Sequence, residues 1–258
     1  LTSSRAFLQD KLARVSRPRL GVVIPAYNEE PRIEATLHRL SEYLQEKEGE
    51  GWSWAVLVVS DGSTDRTVEI VEEFAQRDPR FHVHAYRPNR GKGCAVRTGM
   101  MLLDAEWLLL CDADLATPIE EVEKLFAAGT PVAIGSRALD RKLLEARQPF
   151  YREWAGRAFN KAVQLLGVPG LKDTQCGFKL FRGDVAKRVF SRCRLDSYGY
   201  DFEALMLARA FGYEIAEVPV RWRHQEGSKV KLLRDGFRML WDLLLLRLTF
   251  RSRLRETE

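Results

Sequence analysis

Two aspartates separated by one alanine, Asp112-Ala113-Asp114, end a short apolar run, Leu108-Leu109-Leu110-Cys111. Residues two apart on an extended strand project to the same side. The spacing therefore predicts that both carboxylates converge where the strand ends. Two such groups repel unless a cation lies between them, and hard oxygen donors suit magnesium or manganese. A solvated turn after a strand uses the same residue types, so the pair needs company before it reads as a site. Three more polar clusters supply it: Tyr27-Asn28-Glu29, Asp61-Gly62-Ser63 and Gly91-Lys92-Gly93. Each alone is an ordinary cap or loop.

The elements that must position these clusters alternate along the chain. Leu20 to Tyr27 and Trp54 to Ser60 read as buried strands, and Phe81 to Tyr86 as a third. Asn28-Glu29-Glu30-Pro31 opens a helix, with acidic residues at the positive end of the dipole and proline in the first turn. Its apolar face is Ile33, Leu37, Leu40 and Leu44; Val68, Val71 and Phe74 serve the next helix, and Ala95, Val96, Met100 and Leu103 a third. Thr117-Pro118-Ile119-Glu120 reads as a capping box starting another. Strand alternating with helix predicts an α/β fold, a mostly parallel sheet with helices on both faces. Ligands bind at the carboxyl ends of such strands, which is where all four clusters fall.

The chain has 258 residues, 45% of them hydrophobic, and no Pro/Gly/Ser-rich linker divides it. One main domain is expected over residues 19–230. Before it, residues 1–18 mix Phe7, Leu8, Leu12 and Val15 with basic residues as a short surface helix. Cys94, Cys111, Cys176 and Cys193 form no Cys-x-x-Cys pair, which argues for reduced thiols rather than a disulfide frame or a zinc site. No signal peptide or charge-free apolar run long enough to span a bilayer is visible. Residues 221–258 carry ten Lys/Arg against five Asp/Glu, a net +5; the whole chain is also +5, so everything before them is neutral. A basic tail meets nucleic acid, an anionic membrane or nothing. No interleaving of aromatic and basic residues supports nucleic acid.

Taken in order, Val22-Val23-Ile24-Pro25-Ala26-Tyr27-Asn28-Glu29, Val59-Ser60-Asp61-Gly62-Ser63-Thr64-Asp65, Asn89-Arg90-Gly91-Lys92-Gly93 and Asp112-Ala113-Asp114 resemble a family 2 glycosyltransferase of GT-A fold. Ile134-Gly135-Ser136-Arg137, Asp173-Thr174-Gln175-Cys176-Gly177-Phe178-Lys179-Leu180-Phe181 and Gly227-Ser228-Lys229-Val230 narrow the resemblance to dolichyl-phosphate β-glucosyltransferases and their polyprenyl-phosphate relatives. The similarity runs from about Gly21 to about Asp242. It implies an inverting transfer of glucose from UDP-glucose to a dolichyl or polyprenyl phosphate. GDP-mannose in the same chemistry is the nearest competitor, and a non-catalytic nucleotide-sugar-binding scaffold at the membrane is the alternative of another class.

Under that resemblance Pro25, Tyr27, Glu29 and Asp61 hold the nucleotide base and ribose. A carboxylate at a strand end accepts hydrogen bonds from a uracil N–H or a ribose hydroxyl. Lys92 approaches the diphosphate with its glycine-flanked backbone close by, and Lys229 reaches it when its loop closes. Asp112, Ala113 and Asp114 face the donor. Asp114 and Asp112 hold Mg2+ or Mn2+, with Asp112 left open between direct ligation and contact through the ribose or a bound water. Arg137 and Arg152 are expected at the acceptor phosphate, since arginine's planar fork grips a phosphate from two sides; an ordinary exposed helix would carry the same arginines. Asp173, then Asp201, are expected to position the nucleophile or the sugar, though either would also serve as a helix cap.

The C-terminal stretch 231–258 sets Leu233, Phe237, Leu240, Leu244 and Leu248 on one stripe, with Lys231, Arg234, Arg238 and Asp242 on the far side. Such a helix lies in a membrane interface or packs on the protein core. The expectation is a peripheral protein of the cytoplasmic membrane face.

Overall fold

The structure, a computed structural model, describes residues 17–144, 159–223, 225 and 232–255. The expected N-terminal helix, Arg152 and Lys229 lie outside these residues. Seven strands form one sheet: β1 (Leu20–Ala26), β2 (Trp54–Asp61), β3 (Phe81–Tyr86), β4 (Trp107–Leu110), β5 (Val132–Ser136), β6 (Lys179–Arg182) and β7 (Ile215–Pro219). Their spatial order is β3-β2-β1-β4-β6-β5-β7. The first four are parallel, as the alternation predicts; β6 runs antiparallel between β4 and β5, pairing Leu108 with Phe181 and Ala133 with Leu180.

The sheet is covered on both faces, which is why β1 and β2 are apolar at nearly every position. Within them, alternate residues part company. Val23, Leu57 and Val59 enter one core with helices α3 (Lys92–Leu102), α5 (Gly183–Phe190) and α6 (Tyr200–Ala210). Val22, Ile24, Val56 and Val58 enter the other with α1 (Glu30–Glu48) and α2 (Thr67–Arg77), where Ile33, Leu37, Leu40 and Leu44 are fully buried. Residues 159–166 are also helical. The last element, α7 (Leu232–Arg255), sends Leu243 and Leu246 into the first core. All four cysteines are free and buried.

Two local expectations are corrected. Strand β4 stops at Leu110, so Asp112 and Asp114 do not project from an extended strand. The last tie to β1 is Cys111 N–H to the Val23 carbonyl at 3.0 Å. The chain then turns, with Leu115 N–H reaching the Asp112 carbonyl at 3.2 Å and Leu115 at φ +45°. A turn, not strand alternation, brings the carboxylates together. The Thr117 capping box does not form either. Thr117 is buried beside Cys176, Glu120 pairs outward with Arg39, and residues Ile119–Glu121 make a 3-10 turn before α4 (Val122–Ala127).

Candidate active site

The rim at the carboxyl ends of β1, β2 and β4 is stitched together by side chains. After β1, Asn28 adopts φ +51°, donates its N–H to Ser63 Oγ (3.0 Å) and accepts Thr64 N–H on Oδ1 (2.8 Å). That ties the first polar loop to the second. Pro25 is buried in the strand, Tyr27 is exposed at the rim, and Glu29 pairs with Arg32 at 3.1 Å. Asp61 is 3% exposed: its two oxygens accept the N–H groups of Arg90 and Gly91, each at 2.8 Å. It therefore clamps the turn that carries Lys92.

Lys92 begins α3, and its ammonium donates to Asp112 Oδ1 at 2.6 Å. Burial alone would lower the Lys92 pKa, but the charge of Asp112 beside it, with Asp201 further off, holds it well above the usual lysine range. The opposite edge of Asp112 lies against Gly177, where any Cβ would collide with the carboxylate. This is why the Cys-Gly-Phe stretch needs glycine. Asp114 Oδ1 accepts Ala116 N–H at 3.0 Å, and burial followed by the charge of Asp112 raises its carboxyl pKa. The carbonyl of Ala113 accepts the Thr36 hydroxyl at 2.7 Å, fixing the turn to α1.

Across the pocket, Arg137 follows β5 and grips Asp173 at both ends, Nε to Oδ2 at 2.7 Å and Nη2 to Oδ1 at 2.8 Å. Its guanidinium also lies over Trp222, 5.5 Å from the ring centre. The Asp173 N–H is held in turn by Glu217 Oε1 (2.8 Å) on β7. Burial would raise the Asp173 carboxyl, yet Arg137's charge and hydrogen bonds hold it below the usual range. Asp112, Leu115, Thr117, Gly177, Phe178 and Trp222 line one pocket. Asp112 and the tryptophan under Arg137 thus meet in a single space.

Asp201 stands apart. It is 5% exposed and pairs with the Lys179 ammonium, which also donates to the Cys176 carbonyl at 2.5 Å. It lies inside α6 rather than capping it, and burial raises its carboxyl even against Lys179. Sequence reasoning missed Glu217, Trp222 and the structural part of Gly177; only the Gly177 position carried a signal, a glycine inside a polar-to-apolar strand entry.

The donor set fits a divalent cation. Asp112 and Asp114 are hard oxygen donors close enough for one charge to raise the other's pKa. Among the described residues no third His, Cys, Asp or Glu joins them. The remaining coordination positions would fall to a diphosphate and water, as magnesium-type sites usually arrange.

Comparison with known proteins agrees with this geometry. Residues 21–190 match the profile of Glycosyl transferase family 2. The chain is 36% identical over 244 residues to dolichyl-phosphate beta-glucosyltransferase of Homo sapiens, covering 90% of this chain and 75% of that one. Its counterpart in Saccharomyces cerevisiae is 34% identical over 251 residues, 90% and 75% of the two chains. Among solved structures, glucosyl-3-phosphoglycerate synthase from Mycobacterium tuberculosis in complex with UDP superposes with a TM-score of 0.63 at 20% identity, covering 94% and 83%. A mannosyltransferase from Pyrobaculum calidifontis in complex with GDP-Man and Mn2+ gives 0.51 at 20% identity, covering 88% and 67%. Both have the fold described above.

Proposed function

The chain belongs to glycosyltransferase family 2, and on that footing we propose that it moves glucose from UDP-glucose to a dolichyl or polyprenyl phosphate, giving a β-linked lipid-phosphate glucose and UDP. The observation that carries the reading is one pocket lined by Asp112, to which Lys92 donates, and by Trp222, over which the Arg137 guanidinium lies, in a chain so similar to named dolichyl-phosphate β-glucosyltransferases.

In this reading each residue takes a role. Tyr27, Glu29 and Asp61 line the approach for base and ribose, and Pro25 shapes the strand beneath them. Asp114 and Asp112 would hold Mg2+ or Mn2+, which supplies charge neutralisation for the departing diphosphate. Lys92 faces the same diphosphate from the glycine turn and stabilises charge as it builds there. Arg137 orients the acceptor phosphate, and Asp173 locks Arg137 in place. A phosphate monoester has a second pKa of about 6 and is largely dianionic at neutral pH. The attacking oxygen needs alignment more than deprotonation, so no carboxylate has to act as base. That oxygen bonds to the sugar's anomeric carbon from the face opposite UDP, and the electrons of the broken bond leave with the diphosphate.

Helix α7 supports a lipid-surface seat. Leu243 and Leu246 pack into the protein, while Phe237, Trp241 and Leu248 are 73%, 63% and 81% exposed on the opposite face. Arg238 and Arg247, both exposed, flank that apolar stripe on either side. One face of this helix packs on the core, and the reading gives the other, exposed face to the membrane. No helix among the described residues is long and apolar enough to cross a membrane. A surface seat on the leaflet where the nucleotide sugar is available, the cytoplasmic one, completes the reading.

The decisive assay follows UDP release by purified protein with manganese, UDP-glucose and a short polyprenyl phosphate. Release should depend on the lipid phosphate, cease with chelator, and fall at least about 100-fold in Asp114→Asn with the fold intact. Turnover of GDP-mannose with silence toward UDP-glucose would replace the donor. Donor binding without turnover would leave the scaffold reading.

A further inference from the structure

The turn that carries Lys92 does not stand alone. It lies on residues 194–199, the connection between α5 and α6. Gly93 N–H donates to the Asp196 carbonyl at 2.9 Å. A Cβ at Gly91 or Gly93 would collide with the carbonyl of Asp196 or Leu195. The Asp196 carboxylate takes Arg97 at 2.5 Å and Arg90 at 3.3 Å, so both flanks of the Lys92 turn are tied to this floor. The floor is fixed from two sides. Glu203 Oε2 accepts the N–H groups of Arg194 (3.0 Å) and Leu195 (2.8 Å). From the other side, Ser197 Oγ donates to Asp242 Oδ2 at 2.6 Å and accepts Gly199 N–H at 3.1 Å.

Asp242 sits on α7, next to Trp241 of the exposed apolar face. One side-chain hydrogen bond thus joins the helix read above as the lipid-facing element to the floor beneath the donor lysine.

We propose that Ser197 and Asp242 are positioning residues for donor binding: they fix the floor that holds Lys92 against Asp112, so that seating α7 on a lipid surface tightens the nucleotide site. The positioning part stands on the hydrogen bonds alone; the coupling to lipid rests on the membrane reading of α7. Helix α7 meets the core along one face only, through Leu243 and Leu246 with Met239 and Phe250 beside them, so any motion of the helix on that face reaches the floor through the Ser197–Asp242 bond. A helix held on both faces stops rocking, and the floor under Lys92 stiffens. An enzyme organised this way grips its donor best where its lipid acceptor is found.

The test titrates UDP, with manganese present, into the full chain by calorimetry, without vesicles and then with vesicles of phosphatidylcholine and phosphatidylserine. Without vesicles, Ser197→Ala and Asp242→Ala should each weaken UDP binding about three- to tenfold, the worth of one hydrogen bond. Ser197→Thr, which keeps the hydroxyl, should bind nearly as wild type. Amide exchange at Gly93 should quicken in the two weakened variants. A melting temperature that falls while UDP affinity and Gly93 exchange stay put would mark the bond as a plain structural pin and overturn the proposal. With vesicles, UDP affinity should rise in wild type and not in Asp242→Ala, while both sediment with the vesicles equally. Co-sedimentation of wild type with no gain in UDP affinity would overturn the coupling. Failure to sediment at all would overturn the membrane reading, and the vesicle-free titration would still decide the positioning role.

Discussion

Two cation–carboxylate pairs lie within one segment of this chain, and they do opposite things. Arg137 and Asp173 meet in a two-pronged contact with the guanidinium 28% exposed to the pocket. Lys179 and Asp201 meet with side chains 1% and 6% exposed, sealed between β6 and α6. In the first pair the carboxylate is buried and the cation looks outward, so the acid spends itself in aiming a base that still has an open edge for a ligand. In the second neither partner has an open edge. A planar guanidinium can serve two anions at once, whereas an ammonium sealed from solvent against a carboxylate and a carbonyl has no face a ligand can reach. The lesson is that the pairing itself says little about role; the exposure of the cation decides between site and scaffold.

The sharpest way to break this contrast is to remove one partner of the sealed pair. Lys179→Met leaves Asp201 buried without its cation and should cost about 3–5 kcal/mol of stability, read by urea unfolding. Adding Asp201→Leu to it should restore much of that loss, because a buried pair replaced by apolar side chains is often tolerated. If Lys179→Met melts as wild type yet abolishes turnover, the pair belongs to the chemistry after all.

The open pair should respond the other way round. Arg137→Lys keeps the charge but loses the fork, and turnover of lipid phosphate should drop about 10- to 100-fold, the worth of a charge-assisted hydrogen bond. Its effect should appear in the dependence on acceptor concentration, with melting temperature and UDP affinity close to wild type. Equal loss of UDP affinity would move Arg137 to the donor side.

The smallest effect separates the pairs by sign. Asp173 is held below the usual carboxyl range, so its contribution to stability is full above the unfolded-state pKa of about 4 and is lost as pH falls through the lower folded value. Asp201 is raised by burial, so its contribution is full below that unfolded value and declines as pH rises through the folded one. The stability gap between wild type and Asp173→Asn should therefore narrow on acidification below about pH 4. A gap that widens there would show that Arg137 does not hold Asp173 ionised.

Legibility in the sequence divided along the same line as the sheet. The parallel half, β1 to β4, was readable because each strand is an apolar run and each following helix shows its period, and because its polar residues cluster at the exits. That Asp112 and Asp114 would gather at the end of β4 was readable, though not how: a strand of four residues, Trp107–Leu110, is too short to carry both carboxylates, and a turn does it instead. The second half was less legible. Asp173 and Asp201 look alike as acidic residues near glycine, and nothing local distinguishes the one that meets Arg137 from the one that meets Lys179. Glu217 and Trp222 carried no signal, since each is an ordinary residue near a strand that acquires its task from what packs against it.

Helix α7 shows the same division. Sequence left two readings for its apolar residues; packing gave Leu243 and Leu246 to the core and left Phe237, Trp241 and Leu248 exposed.

What the sequence by itself determined is local and periodic: the α/β alternation, the rim where polar clusters gather, the lysine between two glycines and the carboxylate pair. These follow from side-chain period and backbone preference, which act over a few residues. Only the tertiary structure decided which charge meets which, because an ion pair across 36 residues (Arg137 with Asp173) or a hydrogen bond across 45 (Ser197 with Asp242) depends on how elements pack. Burial then separates them, since a carboxylate at the rim keeps an open side and one sealed between β6 and α6 does not.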